Sequence, residues 1–476
     1  MKMKKFFSLL LVTVMALSLL AGCGGAPVSS ESPSQSQSEK PSESTQPSES
    51  TQPSESQPAP EGVTLKLAAL SSGYETTYPG MWQEVCDAFT AETGIEVQLT
   101  LEKNLEDVIG PSMQGGDYPD VVLCATGRGP ALTEQFIKDH LIADISDVLG
   151  MTIPGESAKV SDKVMADVLG TNATVPYNDG KTYLAPMFYA PCGLFYNANL
   201  FTSKGWEVPE TWDEMWELGD KAKAEGIDLF TYPTTGYFDA FFYALMYSVG
   251  GPDFFNKATS YAEGIWDTPE GQQCFDIVNK LATYTAKVTP AQANETDFSQ
   301  NQQLILDNKA LFCPNGTWLP GEMADAPRTD GDAFQWGMCA LPAAKAGGNG
   351  ASYSFLEQIW IPSGAANIDA GKQFVAFMYS DKAVDIFLKG GAVQPVNGIV
   401  DKLEGDNKYF YSIYSNGANA VVGVFAPYTS TPGLGSNREE FFDPINGLIS
   451  GSTTFEQWTG RFKEASDLMR ENLLIK

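Results

Sequence analysis

Apolar positions in this chain recur in two rhythms that alternate along its length. From Val63, "VTLKLAALSS" carries the dense apolar pattern of a strand and ends in the polar turn "SGYETTYPG". "MWQEVCDAFTAETG" then repeats at three and four, which predicts an amphipathic helix closed by Gly94. "IEVQLTL" predicts a second strand, "NLEDVIGPSMQGG" a helix, and "PDVVLCAT" a third strand leading into "GRGPALTEQFIKDHLIADIS". Strand, helix, strand, helix, strand is the order of a doubly wound α/β body. Ligands meet such sheets at the carboxyl ends of strands, here Ser71 to Tyr74 and Ala125 to Arg128. Tyr74, Thr126 and Arg128 are therefore candidate contacts.

Further on, "PMFYAPCGLFYN" (186–197) reads as a strand although it holds two prolines, a glycine and two tyrosines. Phe188, Cys192, Leu194 and Tyr196 fall on one face, and Tyr189, Pro191, Gly193 and Phe195 on the other. Proline gives no ladder donor, so this is either an edge strand or a segment crossing between two bodies with aromatics facing a ligand. In the run that follows, Thr211 with Glu214 three residues on predicts a capping box at a helix start.

The N-terminus changes the picture of where the protein works. Lys2, Lys4 and Lys5 precede "FFSLLLVTVMALSLLA" and then "LAGC", the charge, apolar core and small-residue exit of a signal segment. The last four residues resemble a bacterial lipobox, which implies cleavage after residue 22 and lipidation of Cys23. Residues 24–62 are almost wholly Ser, Pro, Gln, Glu and Gly, with "PSESTQ" repeated. Such a segment has no apolar surface to offset ordering, and proline keeps it extended, so it reads as a disordered tether.

About 414 residues remain from Val63, more than one core commonly holds and enough for two lobes. The 59 acids against 30 bases give a net charge of −29, which argues against nucleic acid or anionic lipid as a partner. Apart from Cys23, six cysteines remain; several end apolar runs, as Cys124 and Cys313 do, and read as buried thiols. Their even number permits disulfides, yet no spacing indicates pairs, and no Cys/His spacing suits zinc. The single histidine, His140, sits in a helix end with no nucleophile motif around it. No GxSxG, HExxH, P-loop or calcium-loop spacing occurs, so neither a cofactor nor a metal is expected. Two-carboxylate glycoside hydrolysis has no fixed motif and stays open.

Taken in order, "TGIEV", "YPDVVL", the "YN" strand end, "GW..P.TWDE", "ALFCPNGTW", "WGMCALP" and "GKQFVAFMYSDKAVDIFLKGGAVQPVNG" resemble the carbohydrate-binding, maltose-binding-protein-like extracellular solute-binding proteins (family 1) of ABC importers. The likeness runs from about Val63 to Lys476, and is nearer the N-acetylglucosamine and chitobiose binders than the maltose type. It implies a periplasmic-binding-protein type II fold: α/β, with two doubly wound lobes joined by crossing hinge segments. The crossings would be the 186–197 strand, "ASYSFLEQIWIPS" (351–363) and "GGAVQPVNG" (390–398). The first lobe would comprise 63–188 and 360–392, the second 189–355 and 396–476. Proline and glycine at hinge margins suit a change of backbone angles.

The resemblance also implies a site. Tyr237 in "TTGYFDAFFYAL", with Phe238 beside it, matches the family's stacking tyrosine, and Trp318 in "NGTW" matches its tryptophan. Flat apolar rings suit the C–H faces of pyranoses. In "LCATGRG" Arg128 is kept, whereas Cys124 and Gly127 replace the usual aromatic and acid, which leaves Tyr74 to supply a first-lobe ring. Tyr189 lies beside a family contact position, Glu357 is an acid in an apolar crossing strand, and Arg438 stands where the family often has an aromatic. The expected function is non-enzymatic: a monomer, lipid-anchored outside the cell membrane, captures a carbohydrate between its lobes and presents it to importer permease subunits. A cell-surface glycosidase and a binder of a peptide or polyamine are the alternatives.

Overall fold

The computed structural model describes residues 62–128, 131–429 and 431–475. The expected signal segment, Cys23 and the tether up to residue 61 lie outside the described residues.

Nine strands form one mixed sheet: β1 (Thr64–Leu70), β2 (Glu96–Glu102), β3 (Val121–Leu123), β4 (Leu184–Asn197), β5 (Asp228–Phe230), β6 (Ala310–Gly316), β7 (Trp336–Cys339), β8 (Ala351–Trp360) and β9 (Asn419–Val421). Their order is β2-β1-β3-β8-β4-β6-β5, with β7 also on β4 and β9 on β8. β1, β2 and β3 run parallel, as the alternation of strand and helix predicts. The helix Met81–Thr93 closes on Gly94 at φ 76°, a left-handed cap that glycine adopts without steric cost. Thr211 and Glu214 make the expected reciprocal capping box before the helix Trp212–Ala224.

Alternation along β1 builds two layers. Leu65, Leu67 and Ala69 face a core that includes Trp82, Phe89, Phe374 and Phe387, while Ala68 faces Leu105, Val122, Phe136 and Trp360. At the other end of the sheet Leu311 and Phe312 of β6 pack with Phe241, Trp266, Trp458 and Phe462. These are two doubly wound lobes, and β4 and β8 pass through both.

The prolines of β4 now have a reason. The Tyr189 N–H donates to the Val393 carbonyl, away from β8, at 2.9 Å. Two residues on, Pro191 turns its nitrogen to that same side, so its pairing with Ser354 of β8 loses no bond. Between Pro186 and Phe188 the register shifts by a bulge. Cys86, Cys124, Cys192, Cys274, Cys313 and Cys339 form no disulfide. Burial pushes the Cys86 and Cys124 thiols up to about 12, so both stay protonated and unreactive near neutral pH. Among the described residues no helix is long and apolar enough to cross a membrane.

Candidate functional site

Where β4 and β8 lie side by side, Phe188 is opposite Glu357, Ala190 opposite Phe355 and Cys192 opposite Tyr353. Directly opposed residues share a sheet face, so these six make one floor. Phe355 is 38% exposed upon it. Trp318, at the start of the short helix Leu319–Glu322 after β6, leans over the same floor with its ring 6.2 Å from Phe355 at 79°. Gly316 is what lets the indole lie there, because a Cβ at that position would fall 2.1 Å from the Trp318 ring. Tyr237 stands 6.5 Å beyond Trp318, at 53°. The three rings make an accessible aromatic shelf in the second lobe.

Polar groups surround the shelf. Glu357 is half-buried and accepts no hydrogen bond from a described residue; burial pushes its pKa up to about 7, against the partial relief of Arg128. Tyr74 packs edge-on against Phe188 at 5.4 Å, and burial, then the Glu357 charge, raise its phenol well above the usual value. Asp239 is crowded by protein although its side chain still reaches solvent. That crowding pushes it up to about 6, while the Ala240 N–H and the Arg438 charge act the other way.

The two arginines are both engaged within the protein. The Arg128 guanidinium pairs with Glu106, including an Nη2–Oε2 bond of 3.3 Å. Burial would raise Glu106, but this pairing overcomes it and holds the carboxyl below its usual range. Arg438 donates to Glu295 at 3.0 Å and to Thr235 at 3.2 Å, with Asp443 3.5 Å away. Thr126 is tied to β8, its N–H donating to Gln358 Oε1 at 3.1 Å and its hydroxyl accepting from Nε2 at 3.3 Å.

Two sequence candidates fall elsewhere. Tyr189 is 2% exposed and packs edge-on against Tyr411 at 5.1 Å, inside the hydrophobic core that holds both rings. Phe238 is 1% exposed among Tyr232, Phe241 and Phe442, so it fills the core of the second lobe. Neither is placed to touch a ligand. The structure brings Trp318, Tyr237, Glu357 and Tyr74 to the floor, and adds Phe355 and Asp239, which sequence reasoning missed. The acid inside the aromatic run "YFDAFF" was the available signal for Asp239. His140 is stacked on Tyr177 at 4.6 Å, far from any such grouping. Among the described residues no three His, Cys, Asp or Glu side chains gather as metal ligands. A separate groove of 570 Å³, lined by Arg328, Phe334, Trp336 and Tyr409, includes none of the floor residues.

Two lobes threaded by a shared pair of strands, with a shelf of rings between them, define a receptor for a small solute. The chain belongs to the bacterial extracellular solute-binding protein family, whose family model matches residues 72–385. It is similar to the diacetylchitobiose binding protein NgcE of Streptomyces coelicolor, 24% identical over 420 residues that cover 86% of this chain and 85% of that one. Its fold is similar to that of the bacterial solute receptor AcbH, described as exclusive for β-D-galactopyranose (TM-score 0.65, 18% identity, 86% of this chain and 98% of that one). RafE from Streptococcus pneumoniae is a second such fold (TM-score 0.64, 17% identity, 87% and 99%).

Proposed function

We propose that this protein captures a carbohydrate between its lobes and delivers it to the permease of an ABC importer, without chemistry of its own. The observation that carries the reading is the shelf of exposed Trp318 and Phe355 with half-buried Tyr237 over the crossing strands. Rings left accessible beside carboxyl and phenol groups suit a pyranose, which offers a C–H face and a rim of hydroxyls. Family membership and the sugar-binding names of the relatives support the same cargo class. Contacts made by ligand to both lobes would favour the closed form, since a ligand shifts an equilibrium only by its differential affinity.

The lobes are taken as 63–188 with 360–392 and 189–355 with 396–476. The third crossing, 390–398, is held against the first lobe, where the Asn397 N–H donates to the Lys163 carbonyl at 2.7 Å. The chain acts as a monomer tethered by lipid on Cys23 at the outer face of the membrane, and Cys23→Ser should abolish palmitate labelling.

The deciding experiment is a thermal-shift and calorimetry screen of the full chain against mono- and oligosaccharides, with chromatography of each mixture after overnight incubation. Capture predicts stabilisation by a few related sugars, through mass action, with every sugar recovered intact. Shortened products would instead establish a glycosidase. Stabilisation by peptides or polyamines alone would replace the cargo.

A further inference from the structure

The balance of charge around the floor goes further than the class of solute. This inference rests on the carbohydrate reading above and asks which carbohydrate. Glu357 projects from the same face of β8 as Phe355, two residues along, and no described residue donates a hydrogen bond to it. The nearby cation, Arg128, is already committed to Glu106, a carboxylate only 5% exposed. Across the floor, Asp239 accepts, among the described residues, only from the N–H of the next residue, Ala240. Its nearest cation, Arg438, is shared among Glu295, Asp443 and Thr235. Each arginine is thus matched by a carboxylate of its own, and among the described residues no cation pairs with Glu357 or Asp239.

We propose that the cleft selects a sugar bearing a free primary amine, and that Glu357 is the group that selects it. A neutral sugar would leave a crowded carboxylate with hydroxyl donors only, and an anionic one would add repulsion. An ammonium supplies both the counter-charge and N–H donors, and charge-assisted bonds are the stronger kind. The shelf reinforces the choice, because the face of a tryptophan attracts a cation held close to it. Acetylating the amine removes the charge and keeps the ring, so an acetamido sugar should lose the advantage while still stacking. The diacetylated ligand in the name of the Streptomyces relative makes this a sharp contrast within one family.

The test holds the sugar skeleton constant. Calorimetry on the full chain, near pH 7, compares gluco-, galacto- and manno-configured sugars and their β-1,4 disaccharides, each with amine, acetamide or hydroxyl at C2. The expected result is that, for the best-bound skeleton, the amine binds at least about tenfold tighter than its hydroxyl counterpart. The advantage should shrink as salt is raised from about 25 to about 300 mM, because screening weakens charge pairs. Glu357→Gln should abolish the amine advantage, so that the amine and hydroxyl forms of the best-bound skeleton bind alike, while Asp239→Asn should only reduce it. An amine that binds no better than its hydroxyl or acetamido counterpart overturns the proposal and leaves the carbohydrate reading standing. So does an undiminished advantage in Glu357→Gln. If no sugar binds and a polyamine such as spermidine does, the carbohydrate reading itself falls, and this proposal with it.

Discussion

Trp318 and Phe355 meet edge to face, their centroids 6.2 Å apart, although one follows β6 and the other lies within the crossing strand β8. Each is more than a third exposed, at 36% and 38%. An edge-to-face pair satisfies the two rings with each other while leaving broad faces open to a third partner. Trp318→Ala should therefore weaken binding of the best sugar at least about tenfold, roughly the worth of one stacked ring. Its melting temperature should stay within about 2 °C of wild type, since exposed positions contribute little to stability. Unchanged affinity by calorimetry would remove the indole from the site.

Phe238 and Phe355 separate core from shelf. Phe238→Ala empties a position among four packed rings and should cost about 3–5 kcal/mol in denaturant unfolding. Phe355→Ala should cost under about 1 kcal/mol and act on affinity instead. The reverse ranking would mean the shelf is structural.

Arg128 is expected to act on stability through Glu106. Arg128→Ala strands a buried carboxylate and should destabilise the fold by about 3 kcal/mol, whereas Arg128→Ala with Glu106→Gln should recover most of it. The folded pKa of Glu106 is depressed, so the pair's contribution is present above the ordinary carboxylate range and fades as pH falls through the folded value. Chemical denaturation across that range should show wild type and Arg128→Ala converging in acid.

Glu357 carries the opposite sign. Its folded pKa of about 7 lies above the model-compound value of 4.5, so the folded state holds the proton more tightly and loses stability as pH rises between them. Arg128, Tyr74 and Tyr411 are the titratable groups around it, and none donates a hydrogen bond to it. Glu357→Gln should match wild type in acid and melt higher at about pH 8, by about 3 °C for each kcal/mol recovered. A variant that melts lower at alkaline pH would show that a group in the protein compensates the charge after all.

Local grammar explains what was legible in the sequence. Gly94, the Thr211–Glu214 box and the apolar runs of β1 and β2 specify their elements within a few residues, and the structure follows them. Trp318 and Tyr237 were named as candidates by resemblance to the family, and the structure sets their rings side by side. The facing of Tyr189 was not, because the environment on each side of β4 depends on Val393 and Tyr411, about 200 positions away. Phe238 was misplaced for a related reason. In a helix whose apolar residues run nearly all round, periodicity does not separate the buried stripe from the cleft edge, and one step along the chain turns Phe238 inward and Asp239 outward. Asp239 and Phe355 entered the site only once the second lobe and the crossing strands were seen together.

The antiparallel seam of β3 with β8 has a consequence for how the chain is made. Trp360 donates its indole N–H to the Cys124 carbonyl across 236 positions of sequence. Until β8 has emerged, β3 and β4 lack the strand that lies between them, so the first lobe stays an open-edged intermediate until residues 351–360 are made. Pairings so distant also close slowly, because the loop entropy falls due before the contacts form. The two lobes should thus close together and late, once β8 is in place, and until then β3 offers an unpaired edge.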